Sequence, residues 1–339
     1  MATKSRMGKY IVSPSFQHLC TFICLHDCES CSTGFDAQLS AASHPDQLKH
    51  LFPHARLVFP DAPFRGDGTN LRNWYSLEPF QAHTASRGEW QRIANVAASL
   101  EGLVEQEAQL VGRDGVFVIG FGMGASIGTT LLLKTDQPFG GFIGIGGWVP
   151  YIDDLIAVAA QEYHEQQSQP APTSAMNRIE LSDVGFFDFL QGTLDTGLFD
   201  TAFNPSKSSP QPEHLDPLER PAGPHPAQSL LERFLRVTNF LRGLTFSERA
   251  DKAERTSLGT PALFIHANND PLVPYGHATE AVGLLKSLGF VPELKSVKEN
   301  THKVTKQQFI ISVNALLANA LLPPAARTTI TRNFPHVLQ

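Results

Sequence analysis

Gly115-Val-Phe-Val-Ile-Gly120, followed without a break by Phe121-Gly-Met-Gly-Ala-Ser126, is the stretch that decides the fold. The first six residues carry no polar side chain on either face, which predicts a strand buried on both sides. The apolar run from Ile127 to Leu133 predicts a helix directly after it. Gly120-Phe-Gly-Met-Gly124 therefore has the glycine–x–nucleophile–x–glycine form in the strand-to-helix context that motif requires. The flanking glycines suit a strained turn and close strand–helix packing. The middle position, where the motif carries a nucleophilic serine, is Gly122.

On either side of this stretch, apolar strands alternate with helical patterns. Residues 18–26 read as a strand ending in His26-Asp27, followed by a loop and a helix to about His50. Ala55-Arg-Leu-Val-Phe-Pro60 is a second short strand, and Asp61 to Phe80 is a loop rich in Pro, Gly and Asn. Trp90, Ile93, Val96, Ala97, Leu100, Leu103 and Val104 recur at three- and four-residue steps, predicting a helix over 85–111. Further strands are expected at Phe139–Gly146, Pro261–His266 and Pro292–Val297, with helices near 276–288 and 303–322. This alternation predicts an α/β fold: one domain over 1–339 with a mostly parallel, doubly wound sheet. Residues 151–258 break the rhythm. They are Pro-, Gln- and Ser-rich in places, hold the cluster Gly185-Phe-Phe-Asp-Phe-Leu190, and end in the amphipathic segment 230–244. They are expected to form a lid-like insert, flexible in its middle and flanked by helices that cap the sheet's C-terminal edge. Residues 323–339 are expected to be a C-terminal tail.

Composition narrows the classes. With 42% hydrophobic residues in 339, the chain can bury a full core, which excludes intrinsic disorder and a small disulfide scaffold. A net charge of −6 argues against a nucleic-acid partner held by a basic surface. There is no apolar run long enough to span a bilayer, and the first residues lack the apolar core of a signal peptide, so a cytoplasmic protein without stable membrane insertion is expected. Oligomeric state is left open.

Cys20, Cys24, Cys28 and Cys31 are the only cysteines. Cys20 and Cys24 sit on one predicted strand, roughly 13 Å apart, too far for a disulfide or a shared small metal site. Cys24-x3-Cys28-x2-Cys31 matches the spacing of the iron–sulfur site of radical-SAM enzymes, but the match is only three residues deep. The plainer reading makes Cys20 and Cys24 small core residues. His18, His44, His50, His54 and His83 show no metal-ligand spacing. Neither a metal nor a cofactor is expected.

Downstream, Asn268-Asn-Asp-Pro-Leu-Val-Pro274 follows a buried strand and places Asp270 at that strand's C-terminal end. His302 follows one strand later, in the loop before the last helix. The chain order is nucleophile position, acid, histidine. Such a trio needs a histidine of near-neutral pKa to take a proton and a carboxylate to fix its tautomer.

With these residues in place, the chain resembles the acyl-protein thioesterase / phospholipase–carboxylesterase family of α/β-hydrolases. Four stretches carry the resemblance: the strand ending in His26, Phe52–Pro63 with Asn73-Trp-Tyr75, the glycine turn continuing to Gly146-Gly-Trp-Val-Pro150, and His266–Pro274 with His302. Together they cover about two-thirds of the chain. The resemblance implies hydrolysis of an acyl ester or an acylated protein, with Asp270 as the acid and His302 as the base. It assigns oxyanion-hole donors to the backbone of Met123 and Cys28. Trp74, Trp148 and the Phe-rich insert are candidates for lining an acyl pocket, although aromatics at such positions are more often simple core. The departures are Gly122 in the serine's place, His26-Asp27 where the family usually has His-Gly, and the long insert. They open alternatives: a pseudo-hydrolase that binds acylated ligands or partners, or a repurposed enzyme in which His302 and Asp270 activate water or act as general acid and base. Cys28 is a candidate thiol nucleophile, with an ordinary loop cysteine as the alternative. Ser126, one turn below the elbow, is expected to point into helix packing.

Overall fold

The computed structural model describes residues 7–43, 48–65, 70–76, 84–160, 230–245, 247, 256–318 and 322–333. The strands are β1 (Lys9–Val12), β2 (Cys20–Leu25), β3 (Ala55–Pro60), β4 (Phe64–Arg65), β5 (Arg72–Asn73), β6 (Val116–Phe121), β7 (Gly141–Ile145), β8 (Ala262–Ala267) and β9 (Glu293–Val297). The helices are α1 (Ser32–Ala42), α2 (Leu48–Leu51), α3 (Arg87–Val111), α4 (Met123–Lys134), α5 (Ile152–Ala160), α6 (Leu230–Gly243), α7 (Tyr275–Ser287), α8 (Lys306–Ala318) and α9 (Pro324–Asn333). A seven-stranded sheet runs β1-β3-β2-β6-β7-β8-β9, and every pair in it is parallel except β1 with β3. β4 and β5 form a separate two-stranded pair in the loop after β3.

The central strands β2, β3, β6, β7 and β8 are buried on both faces, as their apolar sequences require. On one face Phe22, Cys24, Leu57, Phe117, Ile143 and Ile265 join Phe35 and Leu39 of α1 and Phe309 and Val313 of α8 in one core. Cys20 and Cys24 belong to that core, and all four cysteines are free. On the other face lie α3 and α4, which pack against each other and against β2 and β6. Ser86 caps α3 by accepting the N–H of Glu89 at 3.2 Å. β3 lies on one side of β2 and β6 on the other, so the topological switch point falls between β2 and β6. In open α/β sheets, ligands bind beyond the strands' carboxyl ends at such a point. Asp27 follows β2 there and Gly122 follows β6.

Three elements differ from the sequence reading. β1 is an antiparallel edge strand of four half-exposed residues, too short and too polar to show periodicity. The last predicted helix ends at Ala318, and part of the expected tail is the helix Pro324–Asn333, whose proline occupies a first-turn position that needs no N–H donor. The described helices of the insert are α5 and α6. They pack on each other, and α6 packs on α3 and α4, extending the helical layer. Trp90 of α3 donates to Asp154 of α5 at 2.7 Å, and Thr238 of α6 donates to the Leu133 carbonyl at 2.8 Å. The expectation of a flexible middle falls on residues outside those described. Among the described residues, no helix is long and apolar enough to cross a membrane.

Candidate functional site

The turn between β6 and α4 keeps the backbone of a nucleophile elbow. Gly122 has φ 53° and ψ −118°, a conformation that costs an L-residue strain. Its neighbours are glycine for steric reasons. A Cβ on Gly120 would lie 2.5 Å from the Ala125 nitrogen, and one on Gly124 would lie 2.1 Å from the Leu25 carbonyl oxygen. These contacts seat α4 directly against the ends of β2 and β6. At Gly122 a different atom intrudes: a Cβ there would be 2.0 Å from Oδ1 of Asp27.

Asp27 occupies the centre of the site. Its Oδ1 accepts two backbone N–H groups, from Cys28 at 2.7 Å and from Met123 at 2.7 Å. Its Oδ2 accepts from Nε2 of His302 at 3.1 Å. The two backbone donors assigned to an oxyanion hole thus converge on one point, and a carboxylate oxygen sits there. The whole residue is 6% exposed. Burial pushes the Asp27 carboxyl up. The hydrogen bonds from His302, Met123 and Cys28, with the charge of His302, outweigh burial and hold it below the ordinary carboxylate range.

The backbone that presents Asp27 is pinned by its neighbours. The ring of His26 is fixed at both nitrogens: Nε2 accepts the Ala62 N–H at 3.1 Å, so Nδ1 carries the proton and donates to the Asp27 carbonyl at 2.6 Å. Burial lowers the pKa of His26, consistent with a neutral ring. Trp74 packs against that ring in a tilted arrangement, centroids 5.0 Å apart, and donates its indole N–H to the His26 carbonyl at 2.7 Å.

His302 is held between two carboxylates. Nδ1 lies 2.7 Å from Oδ2 of Asp270, whose Oδ1 accepts the N–H groups of Leu272 at 2.9 Å and Val273 at 3.0 Å. Phe121 stacks on the imidazole at 4.9 Å. Ionised carboxylates only accept hydrogen bonds, so both ring nitrogens must donate, and the ring is an imidazolium. Burial works against that charge. The bonds to Asp27 and Asp270 overcome it and raise the His302 pKa to about 10. The resting centre is therefore carboxylate–imidazolium–carboxylate.

The structure brings together Asp270, His302, Gly122 and the N–H groups of Met123 and Cys28. It does not place Trp74 in a pocket. Trp74 is fully buried and holds the His26-Asp27 turn, the core role open to such an aromatic. Trp148 is also buried and hydrogen-bonds Tyr75, whose hydroxyl meets Ser126 at 2.7 Å. Ser126 points into packing and is no substitute nucleophile. Burial, then the nearby charge of Asp27, pushes the Cys28 thiol well above its ordinary pKa, away from the thiolate that a nucleophile needs. The residue missing from the sequence-level site is Asp27 itself. It was legible as a carboxylate beside the oxyanion position, but not as the group inside it. Replacing Trp74 by Phe would leave the buried His26 carbonyl without its donor. Trp74→Phe is expected to cost about 1–3 kcal/mol, read from urea unfolding.

Comparison with known proteins agrees with this architecture. The sequence model of the Phospholipase/Carboxylesterase family matches residues 8–162. Acyl-protein thioesterase 1 of Yarrowia lipolytica is 23% identical over 160 residues, which is 46% of this chain and 66% of that protein. Acyl-protein thioesterase 1 of Schizosaccharomyces pombe is 24% identical over 148 residues, 43% of this chain and 63% of that protein. The chain thus matches less than two-thirds of either relative's length. Zea mays acyl-protein thioesterase 2 superposes with a TM-score of 0.52 at 14% identity, covering 92% of this chain and 99% of that one. Asp270 and His302 lie beyond the family match, and their place rests on the hydrogen bonds described above.

Proposed function

We propose that this chain, an α/β-hydrolase of the phospholipase/carboxylesterase kind, is a hydrolase that works without a serine. Asp27, His302 and Asp270 stand in place of the serine triad. The observation that carries the reading is the triple grip on the Asp27 carboxylate by the Cys28 N–H, the Met123 N–H and His302 Nε2. An acyl ester or acylated protein, the substrate class in the relatives' names, needs an empty oxyanion hole and a hydroxyl at position 122. This chain offers a negative charge in the first place and no side chain in the second.

Simple general acid–base chemistry by His302 fits less well. Efficient proton transfer at neutral pH needs groups that titrate near 7. Here the imidazolium is held near 10 and the Asp27 carboxyl below its usual range. What the arrangement does supply at neutral pH is an ionised, positioned carboxylate.

The test is turnover of p-nitrophenyl acetate, p-nitrophenyl palmitate and a palmitoyl thioester, with labelling by a fluorophosphonate probe for nucleophilic serines. The wild-type chain is expected to show no labelling and no ester turnover above that of Asp27→Asn. Ester or thioester turnover that survives Asp27→Asn would sink the reading.

A further inference from the structure

We propose that His266 is a positioning residue of this site: from the end of β8 its Nε2 holds the Val273 carbonyl at 2.8 Å and so fixes the turn whose N–H groups aim the Asp270 carboxylate at His302. This role goes beyond the serine-free reading, since it concerns the Asp270–His302 bond whatever substrate that bond serves.

An imidazole is out of place where His266 lies. β8 reads Ala-Leu-Phe-Ile-His-Ala, and all six residues are buried. An aliphatic side chain would continue that run. The histidine is 0% exposed, and among the described residues its buried Nδ1 has no hydrogen-bond partner. A buried polar atom left unpaired costs stability that an apolar residue would keep. The other ring nitrogen is then what accounts for a histidine here.

That nitrogen closes the Asp270 loop. A carbonyl only accepts, so Nε2 carries the proton and donates to Val273. Val273 is buried, and Pro274 after it is the N-cap of α7. The Val273 carbonyl therefore precedes the helix and takes no part in its ladder, and His266 satisfies a buried acceptor that α7 leaves open. The N–H of the same residue donates to Asp270 Oδ1 at 3.0 Å, beside the Leu272 N–H at 2.9 Å. Val273 is thus gripped at both of its backbone groups, by the strand through one and by the carboxylate through the other. With Oδ1 occupied in this way, Oδ2 is turned to His302 Nδ1 at 2.7 Å. His266 does not compete for that oxygen, because its Nε2 lies 3.8 Å from Oδ2.

The charges around the ring fit this division. Asp270 faces it from its own loop, His302 from the loop before α8, and His277 from α7, where Tyr275 also meets it edge-on at 5.9 Å. Burial, above all, lowers the His266 pKa and outweighs the Val273 bond and the Asp270 charge. One neutral and one cationic histidine therefore flank Asp270: the first holds its turn and the second takes its free oxygen.

The test is nitrogen-15 NMR of the full chain with labelled histidines, for the wild type, His266→Phe and His266→Gln. Wild-type His266 is expected to be neutral near pH 7, with its proton on Nε2. Phe keeps the bulk of the ring and loses its N–H. His266→Phe is expected to lower the His302 pKa by at least about one unit, because Asp270 Oδ2 is no longer held on Nδ1. Gln can bring an amide N–H close to the place of Nε2–H, so His266→Gln is expected to recover more than about half of that shift. A His266→Phe chain that unfolds cooperatively in urea, yet whose His302 titrates as in the wild type, would show that His266 only fills space and would overturn the proposal. Equal shifts in the two variants would assign the effect to ring shape and overturn it as well. If neither variant folds, the wild-type ring decides: a proton on Nε2 supports the bond to Val273, and a neutral ring protonated on Nδ1 excludes it. Serine-probe labelling or Asp27-independent ester turnover would remove the serine-free reading and leave these titrations as they are.

Discussion

The double variant Asp27→Gly/Gly122→Ser is expected to hydrolyse p-nitrophenyl acetate at least about 10³-fold faster than the wild-type chain, while neither single variant gains more than a few-fold. Removing a triad nucleophile costs about 10⁶ in kcat, and one oxyanion donor is worth about 10²–10³, so restoring both leaves room for a gain of this size. The singles fail for separate reasons. Gly122→Ser puts a Cβ 2.0 Å from Oδ1 of Asp27 and leaves the carboxylate on both oxyanion donors. Asp27→Gly empties the hole but provides no nucleophile. The effects are therefore strongly non-additive, as expected for two residues that occupy one space. Initial rates for the four proteins under one set of conditions settle the matter. A Gly122→Ser single variant as active as the double would mean that Asp27 leaves the hole easily and does not define the site.

The same pair of residues shows where sequence reasoning reaches and where it stops. The elbow was legible because steric demands leave few choices: Gly120 and Gly124 cannot bear a Cβ against Ala125 and Leu25. The parallel sheet was legible because strands buried on both faces read as uninterrupted apolar runs. Asp270 and His302 were legible through chain order and their place after strands. β1 was not, since four half-exposed edge residues carry no pattern. Trp74 stayed open between pocket and core because an indole on a pocket wall and one buried over His26 look alike in sequence. Asp27 stands out only when two anomalies are read as one. A missing side chain at 122 and an added carboxylate at 27 lie 95 positions apart. Their compensation exists only because the loop after β2 meets the first turn of α4. Each oddity alone suggests damage to a serine site, whereas together they describe a filled and hydrogen-bonded one.

In the wild-type chain the His302 ring is expected to stay protonated to about pH 10, and Asp27→Asn is expected to lower that pKa by roughly 1–3 units. Nitrogen-15 chemical shifts of labelled histidines measure both. The sign carries over to stability. His302 has a folded pKa above its unfolded value of 6.5, so its contribution is complete below about pH 6.5 and is lost as pH rises toward 10. Asp27 has a folded pKa below its unfolded value of 3.8, so its contribution is complete above that range and is lost as pH falls. Stability attributable to the pair is therefore greatest between about pH 4.5 and 6.5. The wild-type urea midpoint should be lower at pH 9 than at pH 6, by several kcal/mol in free energy, and the difference should shrink in Asp27→Asn. A ring that titrates near 6.5 in the wild-type chain would refute the ion pair.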